Sequence, residues 1–268
     1  MRAGLGVELV VFVAAVLSLT VGFADVTSGQ RAFELVAPED DVVRIVTWNV
    51  GSSLEEGGAA LEDEALDHVA AVIRELDADW VFLQEVDSRR QLRDLRERLG
   101  ARWEGKSSRS SGRRIAALAR DGVLDAVRSR ERSLTVRIRS HDVLLIAVHA
   151  DAFSATERNE LLGESADQLA DNSSRGILLG DFNLDLDLDK RRELFSDDEY
   201  LDVETYNYVA KRLRDATVGT GSTAEPDRRL DYIFVDPRAF EVVRSGPFRG
   251  RRVRSMDHDP VVCDLRLR

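Results

Sequence analysis

Cysteine is nearly missing from this 268-residue chain: Cys263 is the only one, which excludes an internal disulfide and a multi-cysteine zinc site. It lies in "PVVCDLRL", an alternating run that reads as a strand with the thiol as a small core residue. A basic excess is missing too. The formal net charge is −11, from 38 Lys and Arg against 49 Asp and Glu, and this argues against a general, sequence-independent nucleic-acid binder. A local basic patch for phosphate is still compatible with it. No internal repeat is evident. With 43% hydrophobic and 32% charged residues the chain is globular rather than disordered, and its length suits one large domain.

Long apolar runs are scarce as well. "VVFVAAVLSLTVGFA", Val10 to Ala24, holds 15 uncharged residues, short of the roughly 20 that span a membrane. It fits the apolar region of a secretory signal, with Gly22-Phe23-Ala24 supplying small residues for cleavage. Arg2 is the only side-chain positive charge before it, and Glu8 sits close by, so an uncleaved membrane anchor is the alternative. The expected organisation is a signal peptide or anchor over 1–24, a polar connector over 25–41 and a folded domain over 42–268. The expected location is secreted or extracytoplasmic, with membrane contact only through residues 10–24.

From Val42 onward, strand-like and helix-like segments alternate. "VVRIVTWN", "WVFLQEV", "RIAALAR", "SLTVRIR", "VLLIAVHAD", "GILLGDFN", "DYIFVD" and "VVCDLRL" predict strands. Helical periodicity places Leu66, Val69, Ala70, Ile73 and Leu76 on one face. It returns in "SRRQLRDLRERLG" and in "SATERNELLGESADQLA", where Ser154 and Glu157 form a capping-box pattern. The class is α/β, two packed sheets or one large sheet covered by helices, with some sheet surface buried on both sides. Four predicted strands end in residues able to hold a metal, accept a proton or bind phosphate: Asn49, Glu85, His149, and Asp181 followed by Asn183. Singly, each has a plain explanation as a turn former or first solvated position. Together they point to one shared site at strand ends. "RRLDYIFVD" adds Asp231, and "SMDHDPVV" adds Asp257, His258 and Asp259.

The ordered set "TWN", "LQEV", "GDFN", "LDYIFV" and "DHDPVV", spread from about residue 44 to 267, resembles the endonuclease/exonuclease/phosphatase superfamily. The resemblance implies a four-layer sandwich of two mixed β-sheets flanked by α-helices. It implies phosphoester hydrolysis assisted by a divalent cation, Mg²⁺ in the first place and Mn²⁺ as the substitute. Glu85 then matches the central metal carboxylate, with Asn49 and Asp257 in the metal and phosphate shell. His258 matches the histidine of the family's Asp-His pair, and Asp231 the carboxylate that orients it. Asp181 or His258 would take the proton from water, Asn183 would orient nucleophile or phosphate, and His149 would donate to the phosphate. Asp142 and Glu131 are candidate partners for His149. Tyr206 and Tyr208 fall in what reads as a variable loop.

Substrate is read from charge. Ten Lys and Arg stand against three acids between Arg89 and Arg114, much of which a solvated helix face explains, including Arg90 with Asp94 at helical spacing. "RGRRVRSMDH" carries arginines into the proposed site, so Arg252 and Arg254 are candidate phosphate contacts. "DLDLDKRRELFSDDEYLD" opposes them with eight acids against three bases. The expected function is a phosphodiesterase acting on nucleic acid, endo- or exonucleolytic. The alternative is a phosphatase, or a sphingomyelinase-like phospholipase, acting on a small-molecule or lipid phosphoester. No obligate protein partner is inferred.

Overall fold

The computed structural model describes residues 32–52, 60–110, 112–172, 175–186, 199–253 and 256–268. The segment 1–24 expected to be a signal peptide or anchor, part of the connector and Arg254 lie outside the described residues. The chain runs β1 (Val42–Asn49), a 3₁₀ turn (Asp63–Ala65), α1 (Leu66–Glu75), β2 (Trp80–Val86), α2 (Arg89–Leu99), β3 (Trp103–Ser107), β4 (Arg114–Arg120) and β5 (Leu124–Ser129). It continues with β6 (Ser133–Ile138), β7 (Val143–His149), α3 (Ala155–Asn172), β8 (Gly176–Asp181), α4 (Glu199–Ala210), β9 (Arg214–Asp215), β10 (Asp231–Val235), β11 (Phe240–Pro247) and β12 (Val261–Leu267).

Two six-stranded mixed sheets result, ordered β11-β12-β1-β2-β4-β3 and β5-β6-β7-β8-β10-β9. Each contains one central parallel pair, β1 with β2 and β7 with β8, and each such pair is joined through a helix as a parallel crossover requires. Residue alternation then builds three cores. Ile45, Trp80, Phe82, Leu145, Leu179, Ile233 and Cys263 point between the sheets. Val46, Trp48, Val81 and Leu83 point outward beneath α1 and α2. Leu144, Ile146, Leu178 and Phe234 point outward beneath α3. The order helix, sheet, sheet, helix is the four-layer sandwich that the family resemblance implies. Fully burying each Leu, Ile or Phe side chain contributes ~1.5–3 kcal/mol, so most of the stabilisation lies in these three layers of contact.

The helices form where their caps and periodicity direct. Ser88 accepts from the Gln91 amide to start α2, and Gly100, at φ 104°, ends it. Ser154 accepts from the Glu157 amide at 3.2 Å and opens α3. Leu66, Val69, Ala70 and Ile73 are buried along α1 as predicted. Tyr206 and Tyr208 are not in a loop: both sit on α4. Tyr206 packs on Tyr232 and Phe234, and Tyr208 donates to Asp167.

The segment before β1 is tied down despite lacking regular structure. Phe33 is buried, its amide bonds the Pro247 carbonyl at 2.9 Å, and the Arg44 guanidinium lies over its ring. Arg44 is itself fully buried and paired with Asp264 at 2.7 Å. Among the described residues no helix is long and apolar enough to cross a membrane.

Candidate active site

The alternation that fills the inter-sheet core also builds the site. In β7 the inward series Val143, Leu145, Ala147 ends in His149; in β8, Ile177 and Leu179 end in Asp181; in β10, Val235 and Ile233 lead back to Asp231. These three residues stand in one register row, His149 beside Asp181 and Asp181 beside Asp231. In the facing sheet Ile45 and Thr47 lead to Asn49. Thr47 and Gln84 hydrogen-bond across β1 and β2, closing the apolar core just below the site. Apolar residues therefore give way to polar ones at the same end of both sheets. That end opens into a cleft of about 740 Å³.

Two backbone irregularities complete the placement. The β2–β4 register shifts between Leu83 and Val86, and Glu85 sits there at φ 64°, a left-handed conformation that costs a non-glycine residue of order 1 kcal/mol or more. The bulge turns the Glu85 carboxylate toward the cleft instead of the helix side. In β8, Gly180 has φ 135°, and a Cβ there would lie 2.1 Å from the Val148 carbonyl oxygen, so only glycine lets β7 and β8 approach. Asn183 does not continue the strand as its alternation with Asp181 suggested. It adopts φ 48°, its amide bonds Asp181 Oδ1 at 2.9 Å, and its side-chain nitrogen donates to the Ala150 carbonyl at 3.1 Å. It still lines the cleft, while Phe182 packs on the opposite face against Tyr232 and Phe234.

The polar groups form one connected row. His258 Nδ1 is 2.8 Å from Asp231 Oδ2, which also accepts from Thr223 Oγ1 at 2.7 Å. Trp48 Nε1 holds the His258 carbonyl at 3.0 Å. His258 Nε2 faces the cleft, 3.8 Å from Asp181 Oδ2 and 4.0 Å from Asp257 Oδ1. Asp181 Oδ2 accepts from Asn49 Nδ2 at 3.0 Å and lies 3.7 Å from His149 Nε2. Asn49 Nδ2 also reaches Glu85 Oε1 at 3.3 Å, and His149 Nε2 is 3.5 Å from that oxygen. Burial disfavours the His258 imidazolium, but the carboxylates of Asp231, Asp181 and Asp257 outweigh it and push its pKa up to about 10. Burial raises the Glu85 carboxyl, against the pull of His149 and Arg113, and raises Asp257.

The donor chemistry separates two halves. Asp181, Asp231 and His258 place ligand atoms within 4.8 Å of one another, close enough to share a cation. Asp231 Oδ2 and His258 Nδ1 are already spent on each other, which suits that trio to proton handling. Glu85 Oε2 is buried with no hydrogen-bond partner, as is Asp231 Oδ1, but the Glu85 carboxylate has no histidine bonded to it at hydrogen-bond distance. An orphaned carboxylate oxygen is costly unless something charged meets it. Gly51 leaves the space that oxygen needs, since a Cβ there would stand 2.1 Å from it. Glu85 and Asp257 line the same cleft and offer the oxygens a hard divalent cation prefers. Asn49 lines it too, with its nitrogen turned to Glu85 and its Oδ1 accepting from the Gly51 amide at 3.0 Å. The residues fit such an ion.

Other residues fall elsewhere. Asp142 pairs with Arg137, not with His149, whereas Glu131 lines the cleft. The Arg252 guanidinium is engaged by Glu225 and Asp259 and does not line the cleft. Three arginines that sequence inspection passed over do line it: Arg113, 3.3 Å from Glu85 Oε1; Arg132, bonded to Asp151; and Arg228, bonded to Asp185. Arg113 was visible only as one member of a long basic run. Thr223 and Gly51 gave no signal beyond their residue types.

Comparison with known proteins agrees with the fold. Residues 46–255 match the profile of the Endonuclease/Exonuclease/phosphatase family. No curated relative matches the sequence. An AP endonuclease from Archaeoglobus fulgidus is 18% identical, with a TM-score of 0.63 over 82% of this chain and 98% of that one. The human Nocturnin catalytic domain with bound sulfate is 18% identical, with a TM-score of 0.60 over 87% of this chain and 97% of that one. A mannosyl-6-phosphatase from Bacteroides thetaiotaomicron is 19% identical, with a TM-score of 0.57 over 83% of this chain and 99% of that one. At such identities the likeness concerns the fold.

Proposed function

The chain belongs to the endonuclease/exonuclease/phosphatase family, and on that premise we propose that this phosphoesterase is a Mg²⁺-dependent phosphodiesterase acting on nucleic acid. The observation that carries the chemistry is the pairing, in one cleft, of an unpartnered buried Glu85 oxygen with the Asp231–His258–Asp181 row. Glu85, Asn49 and Asp257 would hold the cation, Mg²⁺ or in its place Mn²⁺. When bound, it supplies Lewis-acid stabilisation of charge developing on the phosphate.

The remaining work falls to this chain's own groups. Asp181 Oδ2, held by Asn49, accepts the proton of the attacking water. His258, kept charged by its carboxylate neighbours and oriented by Asp231, directs Nε2–H at the phosphate or leaving oxygen. His149 Nε2 donates to a phosphate oxygen from the other side, and Asn183 holds the Ala150 turn that positions it. Arg113 and Arg132, both partly exposed on the cleft wall, would meet phosphodiester oxygens. Export through the 1–24 segment would put this activity outside the cytoplasm.

One observation favours a smaller substrate. Seven carboxylates and three arginines line the cleft, an imbalance that a long polyanion tolerates poorly unless cations neutralise it. A phosphatase acting on a small phosphoester is therefore the second reading. Assays of DNA, RNA and a sugar phosphate with Asp181→Asn and His258→Ala controls separate them. Cleavage of a polynucleotide that both substitutions reduce at least ~100-fold supports the first. Turnover of the sugar phosphate alone supports the second, and full activity in both folded variants removes the assigned roles.

A further inference from the structure

Six of the seven phenylalanines among the described residues are buried. The exception is Phe153, 61% exposed, and it lines the cleft with His149 and Asp181. An aromatic ring at the mouth of a polar cleft forgoes the burial that its six counterparts obtain. Its position is nonetheless built with care. Asp151 Oδ1 accepts the amides of Phe153 and Ser154, both at 2.8 Å, closing a tight turn. Asp151 Oδ2 takes Arg132 Nη2 at 2.5 Å, and the Asp151 carbonyl takes Arg158 Nη1 at 3.0 Å. Arg158 is fully buried and paired with Asp202 of α4 at 2.9 Å. Hydrogen bonds thus fix the turn that carries the ring, four residues after His149, from both the rim and the interior.

We infer that Phe153 is a stacking platform for a nucleobase next to the scissile phosphate, so that the substrate is a nucleic acid presenting an unpaired or easily unpaired base. The inference rests on the phosphodiesterase reading and deepens it. Every base has a π-face, so one exposed ring gives grip without sequence preference. Arg132, bonded into the same turn, supplies the positive charge that a flanking phosphate needs. The combination of one flat apolar face, a neighbouring guanidinium and a cation-binding carboxylate fits a nucleotide unit better than a bare sugar phosphate, which offers the ring nothing to stack on.

The test pairs enzyme and substrate changes. The full chain and its Phe153→Ala and Phe153→Trp variants cleave, with Mg²⁺, a labelled single-stranded oligonucleotide and copies lacking one base at each position flanking the cleaved bond. For the intact strand, Phe153→Ala is expected to lower kcat/KM about 10-fold while Phe153→Trp preserves it. Removing the stacked base should cost the wild-type protein a similar factor and cost Phe153→Ala nothing further. Equal losses for Phe153→Ala on intact and base-lacking strands, or no loss at all, overturn the platform while leaving the nuclease reading standing. A wild-type protein that cleaves none of the strands overturns that reading and the platform with it.

Discussion

Gly51→Ala adds one methyl group and should separate folding from catalysis. The Cβ it creates would stand 2.1 Å from Glu85 Oε2 and 2.6 Å from its carboxyl carbon. That is about 1.3 Å inside the 3.4 Å of ordinary contact. The Gly51 backbone is not in the left-handed region, so alanine is allowed there and stiffens the unfolded chain, a gain of ~0.4–1 kcal/mol. The strain falls on a flexible carboxylate, which relieves it by swinging out of the cleft. The unfolding free energy should therefore stay within about 1 kcal/mol of wild type. A displacement above 1 Å at a reacting centre costs on the order of 100-fold in rate, about 2.7 kcal/mol of barrier. Urea unfolding, kcat/KM and titration of Mn²⁺ binding read the two effects apart. A variant with wild-type kcat/KM and wild-type Mn²⁺ affinity would refute the assignment of Glu85 to the cation. The same substitution at Gly180 should do the reverse, because the obstruction there is the Val148 backbone and φ is 135°. It should cost roughly 3 kcal/mol or more of stability.

Asp202→Asn leaves the buried Arg158 guanidinium without its carboxylate and should destabilise the fold by ~3–5 kcal/mol, read from urea midpoints. His141 has its pKa lowered, first by burial and then by Arg175, against the pull of Asp79; it packs edge-on to Trp80. The unfolded chain therefore takes up this proton first as pH falls. The stability that His141 contributes is complete above pH ~6.5 and declines as pH drops through the folded value. Proton NMR should show it titrating below 6.5, and His141→Gln should lose less stability than wild type between pH 7.5 and 5.5. An unshifted titration contradicts the desolvation argument.

Much of the site was legible because β-structure has a period of two. Apolar residues at Leu145 and Ala147, or at Ile177 and Leu179, project the next inward position to the sandwich end, where His149 and Asp181 stand. Taken together, those strand ends bring the polar residues to one end of the sandwich. The edges were harder. β5 buries only Leu124 and otherwise carries partly or fully exposed residues, so it has no apolar alternation to read. α4 hid for a different reason: its buried face includes Asp202 and Thr205, polar residues at helical spacing whose partners lie on α3. Gly51 and Arg113 were illegible in principle, since each matters through a carboxylate more than 25 residues away, brought near by the β2 bulge.

The most direct test is to follow cleavage of a labelled oligonucleotide by the full chain, first with chelator and then on stepwise addition of Mg²⁺, beside Glu85→Gln. The proposed chemistry predicts no cleavage with chelator, saturable activation by Mg²⁺, and a variant that folds but needs far more metal or none suffices. Cleavage that persists in chelator, or a Glu85→Gln protein with an unchanged Mg²⁺ requirement, would contradict it.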